Sequence, residues 1–350
     1  MRTTHPRRLT TRLIAATVLL ATLMTSGCAT GDDTDPVATA SGPADAAFPT
    51  TLTHAFGTTT IASKPERIVV VGLKEQDYFL ALGEVPVAIR DWYGGMPNAT
   101  WPWAREQLGE AKPEVLARAE LDYEQIAALR PDVIVGLSSG MTQQEYDLLT
   151  KIAPTVAQPE GDGSWAVTWQ QMTRAAGQIT GRGTEAETLV AELEQRIASV
   201  ADAYPALKGA STVFASTYEG QYYLFSPETT ASKVLLDLGL TMSSEVTGLT
   251  DNANQSATIS RERFDLTDVD VAVWSEAATD PGVATLLDDP LYTRLDVRAQ
   301  HREVFLGAEA NGALAFSSVL SLPYVLDRIV PALAAAVDGD PATDSEFSAR

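Results

Sequence analysis

The chain has 350 residues, of which 45% are hydrophobic, and its 46 acidic and 25 basic residues give a net charge of −21. A surface this acidic repels nucleic acid and anionic lipid headgroups, so neither is an expected partner. The length is sufficient for a large apolar core and favours two lobes over one.

The first 27 residues have the pattern of a signal peptide. Four arginines precede an uncharged apolar run over residues 13–24, and small residues follow up to Cys28. A charged, then apolar, then small-residue segment is typical of secretory leaders, and the run is shorter than the roughly 20 apolar residues that span a bilayer. Its end is similar to a bacterial lipobox, with Thr25 in place of the usual leucine. We predict lipidation of Cys28, which anchors the protein on the extracytoplasmic face of the cell membrane.

Two polar segments are predicted to flank the folded part. Residues 28–50 are rich in Thr, Asp, Ala, Gly and Pro without an apolar period, which indicates a flexible tether. Residues 338–350 are similarly polar, and we expect a disordered tail there. Cys28 is the only cysteine, so a lipidated chain has no disulfide and depends on its core for stability.

Between these segments, short β-branched runs alternate with helical segments, which predicts parallel α/β units. Residues 67–71 and 132–135 have few polar positions, as strands buried on both faces do. A weak repeat supports two like lobes. Residues 121–135 and 259–273 share an apolar-x-x-Glu-x-apolar pattern followed by Asp-Val-x-Val, and a helix ending in Leu-Gly lies upstream of each.

A long helix is predicted between the lobes. Thr184 and Glu187 have the spacing of a capping box, apolar residues follow at steps of three and four, and Pro205 ends the pattern. The expected fold is therefore α/β, with two Rossmann-like lobes built on parallel sheets, a single long backbone helix between them and a ligand cleft between the lobes. The predicted bounds are 51–180 for the first lobe, 184–205 for the helix and 206–337 for the second lobe.

Ligands of open α/β sheets bind beyond the carboxyl ends of the strands, so the residues that follow predicted strands are the candidates for a site. All six tryptophans lie in or near these loops, which favours a bulky, partly apolar ligand over a bare ion. The predicted ligand-binding residues are Arg90, Trp92, Tyr93, Trp101, Trp103, Ser138, Ser139, Met141, Trp165, Trp169, Tyr218, Tyr222, Trp274, Asn311, Phe316 and Ser317.

Metal binding by the protein and hydrolysis are both disfavoured. Only His54 and His301 remain after leader removal, so no His-rich metal site can be assembled and no cofactor is expected. Residues 136–140 match the G-x-S-x-G pattern of a nucleophile elbow, with Ser138 as the serine. The only downstream histidine, His301, precedes its strand, at the end opposite the loop of Ser138, so an α/β-hydrolase is the less favoured alternative.

Several segments resemble those of bacterial ABC-transporter solute-binding lipoproteins of the iron-siderophore class. They are residues 64–70, 122–134, 151–156, 315–318 and 322–324, in that order. The resemblance extends from about Phe56 to Leu333. It implies two Rossmann-like lobes joined by one long helix, a ligand in the cleft and no catalytic residues.

The resemblance also implies partners. In related cobalamin and siderophore binders, one glutamate on each lobe pairs with arginines of the permease, and the matching positions here are Glu124 and Glu262. The expected ligand is a ferric siderophore whose iron stays coordinated by the siderophore. Few cations near the aromatic loops favour a hydroxamate type. Haem or cobalamin is the alternative ligand, with Tyr218, Tyr222 or Tyr223 as a haem ligand, and a surface adhesion protein is the alternative function.

Overall fold

The computed structural model describes residues 47–160, 167–250, 255–275 and 281–339, together with Phe347. The predicted leader, Cys28 and Trp165 lie outside these residues, and the tether does so up to residue 46. No helix in the described part of the chain is long and apolar enough to cross a membrane.

The strands of the described residues form two five-stranded sheets and one two-stranded hairpin. Their bounds are β1 Thr50–His54, β2 Gly57–Ile61, β3 Ile68–Val70, β4 Ala88–Arg90, β5 Glu114–Leu116, β6 Val133–Gly136, β7 Thr155–Ala157, β8 Thr212–Tyr218, β9 Gln221–Phe225, β10 Ser256–Ile259, β11 Val271–Ser275 and β12 Glu303–Phe305.

The first sheet is parallel throughout, with the order β5-β4-β3-β6-β7. Both β3 and β6 are buried along their whole length, which is why their sequences are continuous apolar runs rather than alternating ones. The two strands were predicted from those runs, and the structure confirms them.

The second sheet has the order β10-β9-β8-β11-β12, and only β8, β11 and β12 are parallel. Strand β9 returns antiparallel to β8, and β10 is antiparallel to β9. The β8–β9 turn places Glu219 at φ 51° and Gly220 at φ 75°, the left-handed pair that a tight hairpin needs. The prediction of a parallel second sheet is therefore wrong for β9 and β10, whereas the two-lobed α/β fold is confirmed.

Helices cover the sheets and connect their strands. Their bounds are α1 Gln76–Ala81, α2 Arg105–Leu108, α3 Tyr123–Ala128, α4 Gln143–Leu149, α5 Trp169–Thr180, α6 Gly183–Ala203, α7 Thr230–Asp237, α8 Ser244–Thr247, α9 Pro281–Leu287, α10 Asp296–Ala299, α11 Ala308–Phe316, α12 Ser321–Tyr324 and α13 Val330–Asp338.

The helix between the two sheets is α6, with 21 residues. It starts after Arg182, and no side chain caps its first turn. The predicted capping box is therefore wrong: Thr184 lies inside the helix, and Glu187 pairs with Arg174 at 2.9 Å instead. The apolar residues along one face of α6 pack on the core as predicted: Leu193 is buried, and Leu189, Ile197, Val200 and, directly after the helix, Tyr204 are partly buried.

One apolar core runs through both lobes. It joins residues of the first sheet, such as Val70 and Val135, to Val273 of the second sheet and Leu326 of the carboxyl-terminal helices. Phe347, within the predicted disordered tail, is 8% exposed, and its carbonyl accepts a 2.7 Å hydrogen bond from the Phe305 amide. At this residue the chain is packed against β12.

Candidate functional site

A cavity of about 190 Å³ lies between the two lobes, beyond the carboxyl ends of several strands. The first lobe contributes four lining residues from the loops after β3, β4 and β6. The second lobe contributes residues of β8, β9 and the first turn of α7, with Gln255 and Ala315. The full lining is Leu73, Lys74, Trp92, Ser138, Phe214, Phe225, Thr229, Thr230, Ala231, Gln255 and Ala315.

The loop after β3 brings buried charges to the cavity. Lys74 is 5% exposed, and the next residue, Glu75, is fully buried. The Glu75 carboxylate accepts backbone N–H bonds from Ser138 at 2.5 Å and from Lys74 at 3.1 Å, so it holds the β3 and β6 loops together. Burial raises the pKa of Glu75, although these amide donors act in the opposite direction.

Asp77, two residues further along, links the two lobes. Its Oδ2 accepts hydrogen bonds from Trp103 Nε1 at 2.8 Å and from Ser318 Oγ at 2.6 Å. Burial raises the pKa of Asp77 to about 6, while the two donors oppose that rise. The Tyr78 hydroxyl donates to the Ser317 carbonyl at 3.3 Å, which adds a second polar link between the same segments.

An aromatic cluster, consisting of Trp92, Tyr93, Trp101, Trp103 and Phe316, borders the cavity. Trp101 and Trp103 stack with their ring centroids 5.1 Å apart and their planes at 8°. Phe316, at the end of α11, lies within 6.5 Å of the other four rings. Trp92 is the member that also lines the cavity, so the cluster supports this wall from behind.

Two glycines make room for Trp101. A Cβ on Gly94 would lie 2.5 Å from the Trp101 ring, and a Cβ on Gly312 would lie 2.9 Å from it. Gly94 also has φ 88°, a backbone conformation that disfavours other residues. Trp101, from the first lobe, is thus seated directly against the backbone of α11 in the second.

The structure places six predicted site residues at the cavity or in the aromatic cluster. Trp92 and Ser138 line the cavity. The other four belong to the aromatic cluster behind Trp92 and are Tyr93, Trp101, Trp103 and Phe316.

Five further candidates lie in nearby loops or in α11, outside the cavity lining. Arg90 donates to the carbonyls of Val71 at 3.1 Å and Arg118 at 2.7 Å, so its guanidinium holds loops together. Ser139 and Met141 form the turn after β6, where the Met141 amide donates to Ser139 Oγ at 3.2 Å. The remaining two, both buried, are Asn311 inside α11 and Ser317, the left-handed residue that follows the end of α11.

Four candidates lie elsewhere, so their predicted role at the cleft is corrected. Trp169 is buried in the main core at the start of α5. Trp274 is fully buried in β11, and its indole N–H donates to the Tyr292 hydroxyl at 3.0 Å. Tyr222 packs on Phe264 in the same second-lobe core. Tyr218 is 61% exposed at the end of β8. Trp165 lies outside the described residues.

Sequence reasoning missed much of the cavity lining. Lys74 follows β3, so the rule that identified the loops after β4 and β6 also applies to it. Phe225, Thr229 and Thr230 come to the cavity through the β8–β9 hairpin, which was not predicted. The hairpin does have a signal, since Glu219-Gly220 separates two runs that are rich in β-branched and aromatic residues.

The loop that matches G-x-S-x-G has a structural explanation. Ser139 Oγ donates to the Gly136 carbonyl at 2.9 Å, and Gly140 has φ 64°, so the small residues form a tight turn after β6. Ser138 belongs to the first lobe, whereas His301 precedes β12 in the second lobe. The geometry therefore does not assemble a serine–histidine pair.

Glu124 and Glu262 occupy corresponding positions in the two lobes. Glu124 is in the first turn of α3, whose Asp122 side chain accepts the Glu124 amide at 3.0 Å. Glu262 lies in the 3₁₀ helix Arg261–Thr267, and the Ser260 hydroxyl lowers the pKa of its carboxyl. Each short helix leads into a strand, β6 or β11, and both glutamates are exposed.

Comparison with known proteins gives the same fold. The sequence profile of the family described as periplasmic binding protein matches residues 68–310. Escherichia coli strain K12 has an Fe(3+) dicitrate-binding periplasmic protein, FecB, that is 31% identical over 204 residues. The ferric enterobactin-binding periplasmic protein FepB of E. coli O6:H1 is 28% identical over 225 residues. The alignments cover 58% and 60% of this chain and 65% and 66% of those relatives, just under two thirds of their length.

Two solved structures cover more of the chain. A periplasmic solute binding protein from Mycobacterium smegmatis str. MC2 155 is 35% identical, with a TM-score of 0.73 over 82% of this chain and 98% of its own. Streptococcus pneumoniae TIGR4 PiaA in complex with ferrichrome is 24% identical, with a TM-score of 0.71 over 83% and 99%. Because the family profile spans more than half of the sequence and the fold is shared, the chain belongs to the periplasmic binding protein family.

Proposed function

We propose that this protein captures a ferric siderophore in the interlobe cavity and delivers it to the permease of an ABC importer. The observation that carries the proposal is a cavity lined from both lobes, with Trp92, Phe214 and Phe225 as apolar walls. Such walls suit the organic shell of a chelate. The relatives are named for binding ferric dicitrate and ferric enterobactin, which supports the same ligand class.

Binding is expected to require a small opening of the cleft. The cavity volume of about 190 Å³ lies below the roughly 300–1,000 Å³ of common ligand pockets. The rigid 21-residue helix α6 between the lobes limits how far they separate. The described residues contain no cluster of three or more His, Cys, Asp or Glu side chains that could hold a metal ion.

The proposed location is the extracytoplasmic face of the membrane. Cys28 at the end of the leader pattern is the proposed lipid attachment site, and the polar segment that follows is the tether. A cytoplasmic ATPase of the importer would drive transport after docking.

The alternative ligands have less support in the cavity. For the haem alternative, Tyr218, Tyr222 or Tyr223 would be the axial ligand, but none of the three lines the cavity. The hydroxamate preference depended on a shortage of cations near the aromatic loops. Lys74 supplies a cation at the cavity, which removes the ground for that preference.

A fluorescence titration tests the ligand class. Ferric citrate, a ferric hydroxamate, a ferric catecholate, haem and cobalamin are added in turn to the purified protein, and tryptophan emission is followed. We expect saturable quenching by at least one ferric chelate, since Trp92 lies on the cavity wall. Trp92→Phe should reduce the quenching amplitude, whereas Trp274→Phe, which alters a buried second-lobe residue, should preserve it. Binding of haem or cobalamin alone would overturn the proposal.

Docking is proposed to use Glu124 and Glu262. Exposed ion pairs contribute little individually, so they would orient the lobes on the permease. We expect the Glu124→Gln, Glu262→Gln double variant to bind its ligand normally and to support roughly 2- to 30-fold less uptake at limiting protein. The matched control neutralises Glu185 and Glu192, two exposed glutamates of α6. Equal uptake by the two double variants would contradict this assignment.

A further inference from the structure

Lys74 has an unusual environment for a lysine. Its side chain is 5% exposed and lines the cavity, and its Nζ donates one hydrogen bond, to Thr230 Oγ1 at 3.2 Å. Within the described residues this ammonium forms no ion pair. A buried charge without a counter-ion is costly, so a partner for it is expected in the cavity.

The neighbouring carboxylates are engaged elsewhere. Glu75 accepts the backbone amides of Ser138 and Lys74, and Asp77 accepts Trp103 and Ser318. Both carboxylates attract the Lys74 ammonium through space without contacting it. The ammonium is therefore directed away from them, towards the second lobe.

A second positive feature converges on the same point. Thr230 is the first residue of α7, and Thr230 and Ala231 of its first turn line the cavity. The amino end of a helix carries a partial positive charge, and α7 has no acidic residue in its first turn. Glu228, just upstream, pairs with Lys233 at 3.2 Å. The ammonium and the positive amino end of the helix repel each other, and an anion bound between them would relieve this repulsion.

We infer that Lys74 and the amino end of α7 form an anion subsite. Between two ferric chelates, this subsite selects the one that keeps a carboxylate whose charge iron does not neutralise, and disfavours the uncharged one. This inference rests on the proposed function and specifies its ligand. A carboxylate accepts hydrogen bonds from the ammonium and from helix N–H groups at once. The cavity volume of about 190 Å³ also favours a compact chelate.

The protonation of Lys74 fits this role at neutral pH. Burial lowers the pKa of Lys74 to about 8, while Glu75 and Asp77 oppose the decrease. The ammonium form therefore predominates at pH 7. Affinity for an anionic chelate should fall as the pH rises through about 8, whereas affinity for an uncharged chelate should not.

The test compares ferric citrate with ferrichrome, an uncharged ferric trihydroxamate, by fluorescence titration of the wild type and two variants. We expect the wild type to prefer ferric citrate. Lys74→Met, which keeps the length and removes the charge, should weaken ferric citrate binding about 10- to 100-fold and change ferrichrome binding less than about twofold. Lys74→Arg should restore part of the loss.

Thermal unfolding separates recognition from structural support. Since Lys74→Met removes an unpaired buried charge, the unliganded variant should unfold at the same or a higher temperature. Unchanged ferric citrate affinity, or equal losses for both chelates, would overturn the subsite. The wild type supplies an independent arm: affinities measured between pH 7 and 9 should fall for ferric citrate alone. If no ferric chelate binds the wild type, the proposed function itself fails.

Discussion

Trp101→Ala is expected to lower the free energy of unfolding by about 3–5 kcal/mol, the upper range for large-to-small core substitutions. Trp101 is 2% exposed and stacks on Trp103, and its ring lies against Gly94 and Gly312. The glycines have no side chains that can move into the space, so the cavity should persist. Urea unfolding followed by far-UV circular dichroism measures the loss.

Trp92→Ala is the matched control for this substitution. Trp92 belongs to the same aromatic cluster but is half-buried at the cavity wall. Its removal should cost less stability than removal of Trp101 and should mainly weaken ligand binding. Equal stability losses in the two variants would contradict the view that Trp101 is the buried contact between the lobes.

Asp77→Asn is expected to change the pH dependence of stability. Burial raises the pKa of the folded carboxyl from the ordinary 3.8 to about 6, so the folded state holds its proton more tightly. The contribution is therefore fully present below about pH 4 and is lost as the pH rises through about 6. By linkage, this group alone lowers stability by roughly 2 kcal/mol between pH 4 and pH 7. Asparagine keeps an acceptor oxygen for Trp103 and Ser318 but does not ionise.

The measurement is the free energy of unfolding of both proteins from pH 4 to pH 7. Glu75 and Glu303 are also buried with raised pKa values, but they titrate in both proteins and cancel in the difference. Asp202→Asn, at an exposed position near the end of α6, is the control and should follow the wild-type curve. Parallel curves for the wild type and Asp77→Asn would show that Asp77 does not carry this dependence.

The sequence was sufficient for the elements whose pattern is local. Strands β3 and β6 follow from continuous apolar runs, and α6 follows from its apolar period. The start of α6 was wrong because Thr184 and Glu187 match a capping box in spacing alone, while the helix begins one residue before Thr184.

The site was harder to predict because burial on two faces erases the sequence signal. Trp101 and Trp274 both lie near predicted strand ends. Trp101, however, belongs to the aromatic cluster beside the cavity, whereas Trp274 packs in the second-lobe core. Both faces of β11 are buried, so alternation does not tell which face Trp274 occupies. Lys74 was overlooked for a related reason: lysines are rarely buried unless paired, and its environment arises only when α7 meets the β3 loop.

The link at Asp77 has a consequence for how the molecule folds. One carboxylate satisfies an indole from the first lobe and a hydroxyl from the second, and the apolar core is continuous through both. The Trp103 bond lies within the first lobe, whereas the Ser318 hydroxyl reaches Asp77 from the second, so excision of either lobe would remove this cross-lobe bond and expose apolar core surface. The shared core and this cross-lobe bond therefore favour joint unfolding of the two lobes over separate unfolding of each.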